Sequence, residues 1–86
     1  MDPTFARAYY DLGRYYFNKA VKVRDENIDL TGEALDAKVN PFYEQALPYL
    51  EKAYELDPEY LDAKNALRSI YYQLGNEAKL NAIENQ

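Results

Sequence analysis

Hydrophobic residues in the first quarter of the chain recur at the spacing of a single helix face. They follow one another at steps of three or four residues: Phe5, Tyr9, Leu12, Tyr16, Ala20 and Val23. Such steps place side chains on one side of an α-helix. The pattern therefore predicts an amphipathic helix from residue 3 to about residue 25. A polar turn is expected next, because residues 25–27, Asp29 and Thr31-Gly32 are of types that favour turns.

A second stripe of the same kind begins after this turn. Its members are Leu35, Val39, Phe42, Ala46, Tyr49, Ala53 and Leu56. The spacing continues across Pro41, so we expect a short helix from about residue 32 to run into a helix at residue 41, with a bend between them. Pro41 and Pro48 share a face, which we expect to be the convex side of a bowed helix.

Two further helices are predicted in the last third of the chain. A third long helix spans about residues 58–74, and Gly75-Asn76 ends it, since glycine is favoured just after the last helical turn. A short, more polar helix follows over about residues 77–84. The expected fold class is all-α, with three long helices and a short C-terminal capping helix in an antiparallel helix-turn-helix stack.

The chain also contains an internal repeat. Residues 2–18 and 57–73 align at an offset of 55 residues. The identical pairs are Asp2/Asp57, Pro3/Pro58, Ala8/Ala63, Leu12/Leu67 and Tyr16/Tyr71. Each copy opens with Asp-Pro, in which the aspartate can cap a helix and the proline suits its first position. Asn40-Pro41 has the same form, so helix starts are expected near residues 3, 41 and 58.

The two copies resemble the tetratricopeptide repeat family. The spacing of Tyr9, Leu12, Gly13 and Tyr16 carries the resemblance, together with that of Ala46, Leu50, Ala53 and Pro58. It implies a first repeat over residues 2–58 and a second, degenerate capping repeat over residues 59–86, in which Arg68 replaces the packing glycine.

The first repeat departs from the family in its length. An ordinary repeat has about 34 residues, and this one is about 21 residues longer. We assign the excess to residues 18–40, as an extended hairpin between the two helices of the repeat. Asp2-Pro3 resembles the closing Asp-Pro of an earlier repeat, so we expect the chain to be a C-terminal piece of a longer array.

The composition and net charge of the chain argue against several classes of function. The chain has 86 residues, no Cys, no His and a net charge of −5. These absences remove disulfides, thiolate nucleophiles, histidine bases and the common transition-metal sites, so we expect no cofactor. The acidic balance opposes binding to nucleic acid or to an anionic membrane surface. No signal peptide or membrane span is evident, and the sequence does not indicate a compartment.

Two acidic features were candidates for chemistry. Residues 25–33 offer oxygen ligands for Ca²⁺, but their spacing is not that of an EF-hand. Glu51 and Glu55 lie one helical turn apart, as a catalytic carboxylate pair would require. Both features are typical of solvated surfaces, so we expect no metal site and no enzyme activity.

The family resemblance implies a binding surface. In tetratricopeptide arrays the first helix of each repeat lines a concave groove that binds peptides. By position, the candidate residues of this chain are Arg7, Tyr10, Arg14, Phe17, Asn18, Asn65, Ser69 and Tyr72, with Asp62 and Gln73 beside them. Cations and aromatic rings alternate on this face of the first helix, which suits a peptide with acidic and apolar side chains. The alternative is that Arg14 merely pairs with Asp11 or Asn18 on a solvated surface.

The expected function is recognition of a protein or peptide, or scaffolding, without catalysis. Two alternatives stay open: a purely structural C-terminal cap of a longer solenoid, and an accessory domain of a larger enzyme or transport system. We also expect weak self-association through the outward side of the first helix, where apolar side chains lack neighbours.

Overall fold

The computed structural model describes residues 3–85, with side chains from Phe5 onward. Over this range the chain forms four α-helices and no strand: α1 (Pro3–Glu26), α2 (Gly32–Leu56), α3 (Leu61–Leu74) and α4 (Glu77–Glu84). The predicted all-α class is therefore confirmed. Among these described helices, none is both long enough and apolar enough to cross a membrane.

The central element of the packing is α2. Both α1 and α3 pack along it, and α4 packs against α3. The core is built on fully buried residues of α2 and α3, foremost Val39, Ala46, Leu50, Leu67 and Ile70. Burial of each of the larger side chains, those of Val39, Leu50, Leu67 and Ile70, contributes about 1.5–3 kcal/mol, so this cluster holds α2 and α3 together.

Small residues set the distance between α1 and α2. Ala6, Gly13 and Ala20 are buried on one side of α1, at intervals of seven residues. A Cβ atom added at Gly13 would lie 2.5 Å from Cγ of Leu50, so the glycine permits a close approach of the two helices. The predicted α1 stripe is therefore wrong in part, since Phe5 and Leu12 lie away from α2 and are exposed.

Two of the three predicted helix starts are also wrong. Asn40-Pro41 lies inside α2, which is one continuous helix, and α3 begins only at Leu61. Pro41 and Pro48 are both exposed, so the carbonyl groups left without an intrahelical partner can bind water. The Oδ1 atom of Asp57 accepts a hydrogen bond of 3.1 Å from the backbone N–H of Glu59 and so stabilises a turn rather than a helix start. The capping role predicted for Asp2 lies outside the described residues.

The predicted end of α3 is confirmed. Gly75 has φ = 72°, a left-handed conformation that glycine adopts without strain. Asn76 then starts α4, because its side-chain oxygen accepts a hydrogen bond of 3.2 Å from the backbone N–H of Lys79.

Part of the region assigned to an inserted hairpin packs against the core. Ala20 and Val39 are completely buried, and Val23 and Leu35 pack against the same cluster. The extra residues lengthen both α1 and α2. Between Ala20 and Val39 no residue is buried, and most side chains of the turn at residues 27–31 are exposed.

Candidate functional site

A groove lies between α1 and α3. It consists of two adjoining cavities of about 650 and 340 Å³, which share Phe17, Asn65 and Ser69 as lining residues. Both volumes fall in the range of about 300–1,000 Å³ that is usual for ligand sites. We call this feature the α1–α3 groove; the smaller cavity is completed by Tyr10, Arg14, Asn18, Asp62 and Ala66, and the larger by Val21, Arg24, Tyr43, Arg68, Tyr72, Gln73, Leu80 and Glu84.

The groove arises because α1 and α3 lie side by side on α2 without closing on each other. Near its N-terminal end, the rings of Tyr10 and Tyr60 meet edge to face with centroids 5.1 Å apart. Beyond this contact the wall that α3 forms along the smaller cavity includes the short side chains of Asn65, Ala66 and Ser69. Short side chains at these positions leave space between the two helices.

Seven of the eight residues predicted for the site line the groove. Tyr10, Arg14 and Asn18 line the smaller cavity, Tyr72 lines the larger one, and the three shared residues line both. Arg7 is exposed on α1 but lines neither cavity. Asp62 and Gln73, named beside them, also line the groove.

Several residues of the larger cavity were missed by the sequence analysis. Val21 and Arg24 lie in the stretch without a counterpart in the repeat, yet they follow Phe17 by four and seven residues on the same helix face. Helical spacing would have identified both. Tyr43 reaches the groove from α2, and Glu84 from α4; neither position follows from the repeat alignment.

The groove carries more arginine than carboxylate. Its three arginines are Arg14, Arg24 and Arg68, and its two acids are Asp62 and Glu84. Arg68 and Glu84 form an ion pair of 3.5 Å. Although the whole chain has a net charge of −5, the groove thus presents a local excess of positive charge.

Arg14 is the arginine most available to a ligand. Its nearest carboxylate belongs to Asp11, at 4.0 Å, and both side chains are about half exposed, at 57% and 49%. Such a surface pair is worth only about 0–1 kcal/mol, so a ligand carboxylate can replace it. Arg24, in contrast, is held by a hydrogen bond of 3.0 Å from its Nη2 to the hydroxyl oxygen of Tyr43.

Aromatic rings form the apolar part of the groove. Phe17 packs edge to face on Tyr43, with ring centroids 5.4 Å apart, and both are thereby fixed. Burial, together with the negative charge of Asp62, raises the pKa of Tyr10 above its ordinary value. At neutral pH its hydroxyl is a hydrogen-bond donor, as that of any tyrosine with an ordinary pKa is. Tyr72 lies at the edge of the groove and is 78% exposed.

The glutamates proposed as a possible catalytic pair, Glu51 and Glu55, contact different residues. Glu51 accepts a hydrogen bond of 2.7 Å from the hydroxyl of Tyr71 and lies 3.1 Å from Nζ of Lys79. Glu55 forms an ion pair of 3.7 Å with Lys52, so each of the two glutamates is paired with a different lysine. In the described part of the chain, no three acidic side chains converge as a metal site would require.

Comparison with known protein families, with curated proteins and with solved structures gives no match for this chain. The geometry and chemistry of the α1–α3 groove are therefore the observations from which a function can be inferred.

Proposed function

We propose that the chain is a non-catalytic protein-recognition module of tetratricopeptide type, and that the α1–α3 groove binds a peptide segment. The observation that carries the proposal is the convergence of Arg14, Tyr10 and Phe17 with the polar side chains of Asn65 and Ser69 around one open cavity. Aromatic rings and arginine are the residues that contribute most to protein recognition.

The dimensions of the groove suit an extended segment. Its α1 wall runs from Tyr10 to Arg24, which corresponds to about 21 Å along the helix axis. Six extended residues span about 20 Å. The length of the groove therefore suits a short peptide segment.

The chemistry of the groove favours a ligand with acidic and apolar side chains. Arg14 can bind a carboxylate in bidentate fashion, since its pair with Asp11 is weak. Phe17 and Tyr10 offer rigid apolar surface beside it. Asn18, Asn65 and Ser69 supply hydrogen-bond donors and acceptors for the backbone of an extended peptide.

The experiment is a selection of binders from a random peptide display library on the full chain. We expect the enriched peptides to combine Asp or Glu with Leu or Phe. The Tyr10→Ala, Arg14→Ala double variant should then lose about 2 kcal/mol of binding free energy for a selected peptide, or about 30-fold in affinity. Its helicity should be unchanged, and its melting temperature should fall only by what the lost contact between Tyr10 and Tyr60 accounts for.

A matched control variant is available on the same helix. Arg7 and Tyr15 are exposed on α1 and line neither cavity, so the Arg7→Ala, Tyr15→Ala variant removes the same residue types outside the groove. We expect it to bind the selected peptide as the parent chain does. Equal losses in the two variants, or a selection that yields no binder, would contradict the proposal.

A further inference from the structure

The larger cavity of the α1–α3 groove owes part of its lining to the residues that lengthen the first repeat. On α1 it is lined by Phe17, Val21 and Arg24, and Tyr43 of α2 lines it as well. Arg68 belongs to the wall that α3 contributes. Two guanidinium groups from two different helices therefore border one cavity of about 650 Å³.

Among the described residues, no carboxylate forms an ion pair with Arg24. Its Nη2 atom donates a hydrogen bond of 3.0 Å to the hydroxyl oxygen of Tyr43, and its guanidinium carbon lies 6.0 Å from the centre of that ring. Tyr43 is 3% exposed and packs on Phe17, so the ring is a fixed support. A guanidinium group has five N–H donors, and the bond to Tyr43 uses one of them. Arg24 is thus a supported cation with donors left for an anion.

The second arginine of the cavity has a weak partner. Arg68 pairs with Glu84 at 3.5 Å, and the two side chains are 48% and 43% exposed. Exposed ion pairs of this kind contribute little, so a ligand can separate them. Exchange of Glu84 for another single carboxylate would gain nothing at Arg68. The exchange becomes favourable for a ligand group that carries more than one negative charge.

A phosphate monoester meets this requirement in charge and in shape. It carries a charge of about −1.5 to −2 at pH 7 and has three acceptor oxygens. A planar carboxylate is satisfied by one guanidinium group, whereas the tetrahedral phosphate can accept from both walls of the cavity. Phe17, Val21 and Leu80 line the same cavity and offer apolar surface to the side chain that carries the phosphate.

We infer that the larger cavity binds a phosphorylated side chain of the peptide ligand, between Arg24 and Arg68. The inference rests on the proposed function, since it names a second recognition element of the same ligand. The net charge of −5 opposes the binding of a long polyanion such as nucleic acid, but a single phosphate needs only these two arginines.

The positions of the arginines along α1 predict the spacing within the ligand. Arg14 and Arg24 are ten residues apart, which corresponds to about 15 Å along the helix axis. An extended peptide covers this distance in about four or five residues. We therefore expect the phosphorylated residue to lie about four or five positions from the acidic residue that binds Arg14.

The first test uses small probes and does not need a peptide. Phenyl phosphate and phenyl sulfate have the same tetrahedral shape, but at pH 7.5 the phosphate is largely a dianion and the sulfate is a monoanion. In titrations of the full chain followed by NMR, we expect phenyl phosphate to bind at least about tenfold more tightly. Its amide shifts should lie at residues 21–24 and 68–73. Equal affinity for the two probes would overturn the inference, and inorganic phosphate that binds as tightly as phenyl phosphate would indicate an adventitious ion only.

Variants assign the site to the two arginines. Arg24→Gln and Arg68→Gln should each weaken the binding of phenyl phosphate at least about fivefold. Arg7→Gln is the matched control, because Arg7 is exposed on α1 and lines neither cavity; it should change the affinity less than about twofold. Glu84→Gln removes the competing carboxylate and should strengthen binding at least about threefold, a gain that misfolding cannot produce. Equal losses in Arg7→Gln and Arg24→Gln, or no gain in Glu84→Gln, would contradict the assignment.

The second test uses a peptide selected from the display library. Phosphoserine placed four or five positions from its acidic residue, on either side, should raise the affinity at least about tenfold over serine, and the Arg24→Gln, Arg68→Gln variant should lose this gain. A phosphoserine that brings no gain at any of these positions would overturn the inference while the proposed function stands. A selection without binders, together with tight binding of phenyl phosphate, would instead show that the proposed function is at fault.

Discussion

Helices α1 and α3 carry related sequences but occupy different environments. Leu12 and Leu67 are equivalent in the internal repeat, yet Leu12 is half exposed and Leu67 is buried against α2. The difference does not come from the residues themselves. It arises from the surroundings: Leu67 joins the core cluster with Leu50 of α2, whereas the described elements leave about half of the Leu12 side chain exposed.

The opposite sides of the two helices differ as well. Gly13 and Arg68 are equivalent, and both face the helix that follows them in the chain. The long helix α2 approaches Gly13 closely, while the short helix α4 meets Arg68 through an ion pair with Glu84. At this position α1 therefore packs tightly on its neighbour α2, whereas α3 carries a charged residue that lines the groove.

The largest predicted contrast is between the two equivalent leucines. Leu67→Ala should lower the free energy of unfolding by about 2–5 kcal/mol, because it leaves a cavity in the core. Leu12→Ala should lower it by less than about 1 kcal/mol, because much of its side chain already contacts water. Chemical denaturation of both variants measures the difference. Equal effects would mean that the side chain of Leu12 is covered in solution.

A smaller contrast is expected at Gly13 and Arg68. Gly13→Ala should destabilise the chain by about 1–3 kcal/mol, since the new Cβ atom overlaps Leu50, which is completely buried and cannot move aside. Arg68→Ala should change the stability by less than about 1 kcal/mol, because its ion pair is half exposed. If Gly13→Ala instead stabilised the chain through its higher helix propensity, the close approach of α1 and α2 would be wrong.

The two equivalent tyrosines give the next contrast. The Tyr71 hydroxyl donates a hydrogen bond of 2.7 Å to Glu51, whereas Tyr16 stacks on Tyr49 with ring centroids 5.8 Å apart. Tyr71→Phe should therefore cost about 1 kcal/mol, and Tyr16→Phe less. Thermal unfolding at neutral pH compares the two variants, and a larger loss for Tyr16→Phe would contradict the assignment.

Tyr71 also predicts a dependence on pH. Burial and the hydrogen bond to Glu51 raise the pKa of Tyr71 above its ordinary value of 10.0. Below that value both the folded and the unfolded chain keep the proton; above it the unfolded chain loses the proton first, so stability falls as pH rises. The alkaline loss should be smaller in Tyr71→Phe than in the parent chain. An identical alkaline slope in the two proteins would show that this hydroxyl does not titrate differently on folding.

Some parts of the fold and of the groove can be predicted from the sequence alone, and others cannot. The polar turn, the helix end at Gly75 and the groove residues Tyr10, Arg14 and Asn65 follow from local signals and from the repeat. The start of α3 does not, because Asp57 can cap either a helix or a turn, and only the path of the chain decides between them. The residues that line the larger cavity could be predicted only in part, because Tyr43 belongs to α2, which the repeat does not align with α1 or α3.

A contrast in local stability, measured by hydrogen exchange, is expected along the α1–α2 pair itself. Its core-facing part includes the buried residues Ala46 and Leu50, while the turn at residues 27–31 has none. Backbone amides of residues 28–31 should exchange with solvent at least about 100-fold faster than those of Ala46 and Leu50. Comparable protection at the two places, measured by hydrogen exchange, would make the turn a packed element.

The central claim is that the side of α1 that faces α3 is the recognition surface. The most direct measurement is amide chemical-shift mapping of the full chain with a peptide selected from the library. The account predicts the largest shifts at Asn18, Asn65 and Ser69, and their loss in the Tyr10→Ala, Arg14→Ala variant. Shifts concentrated at residues 25–36, retained in that variant, would contradict the account and assign binding to the acidic turn.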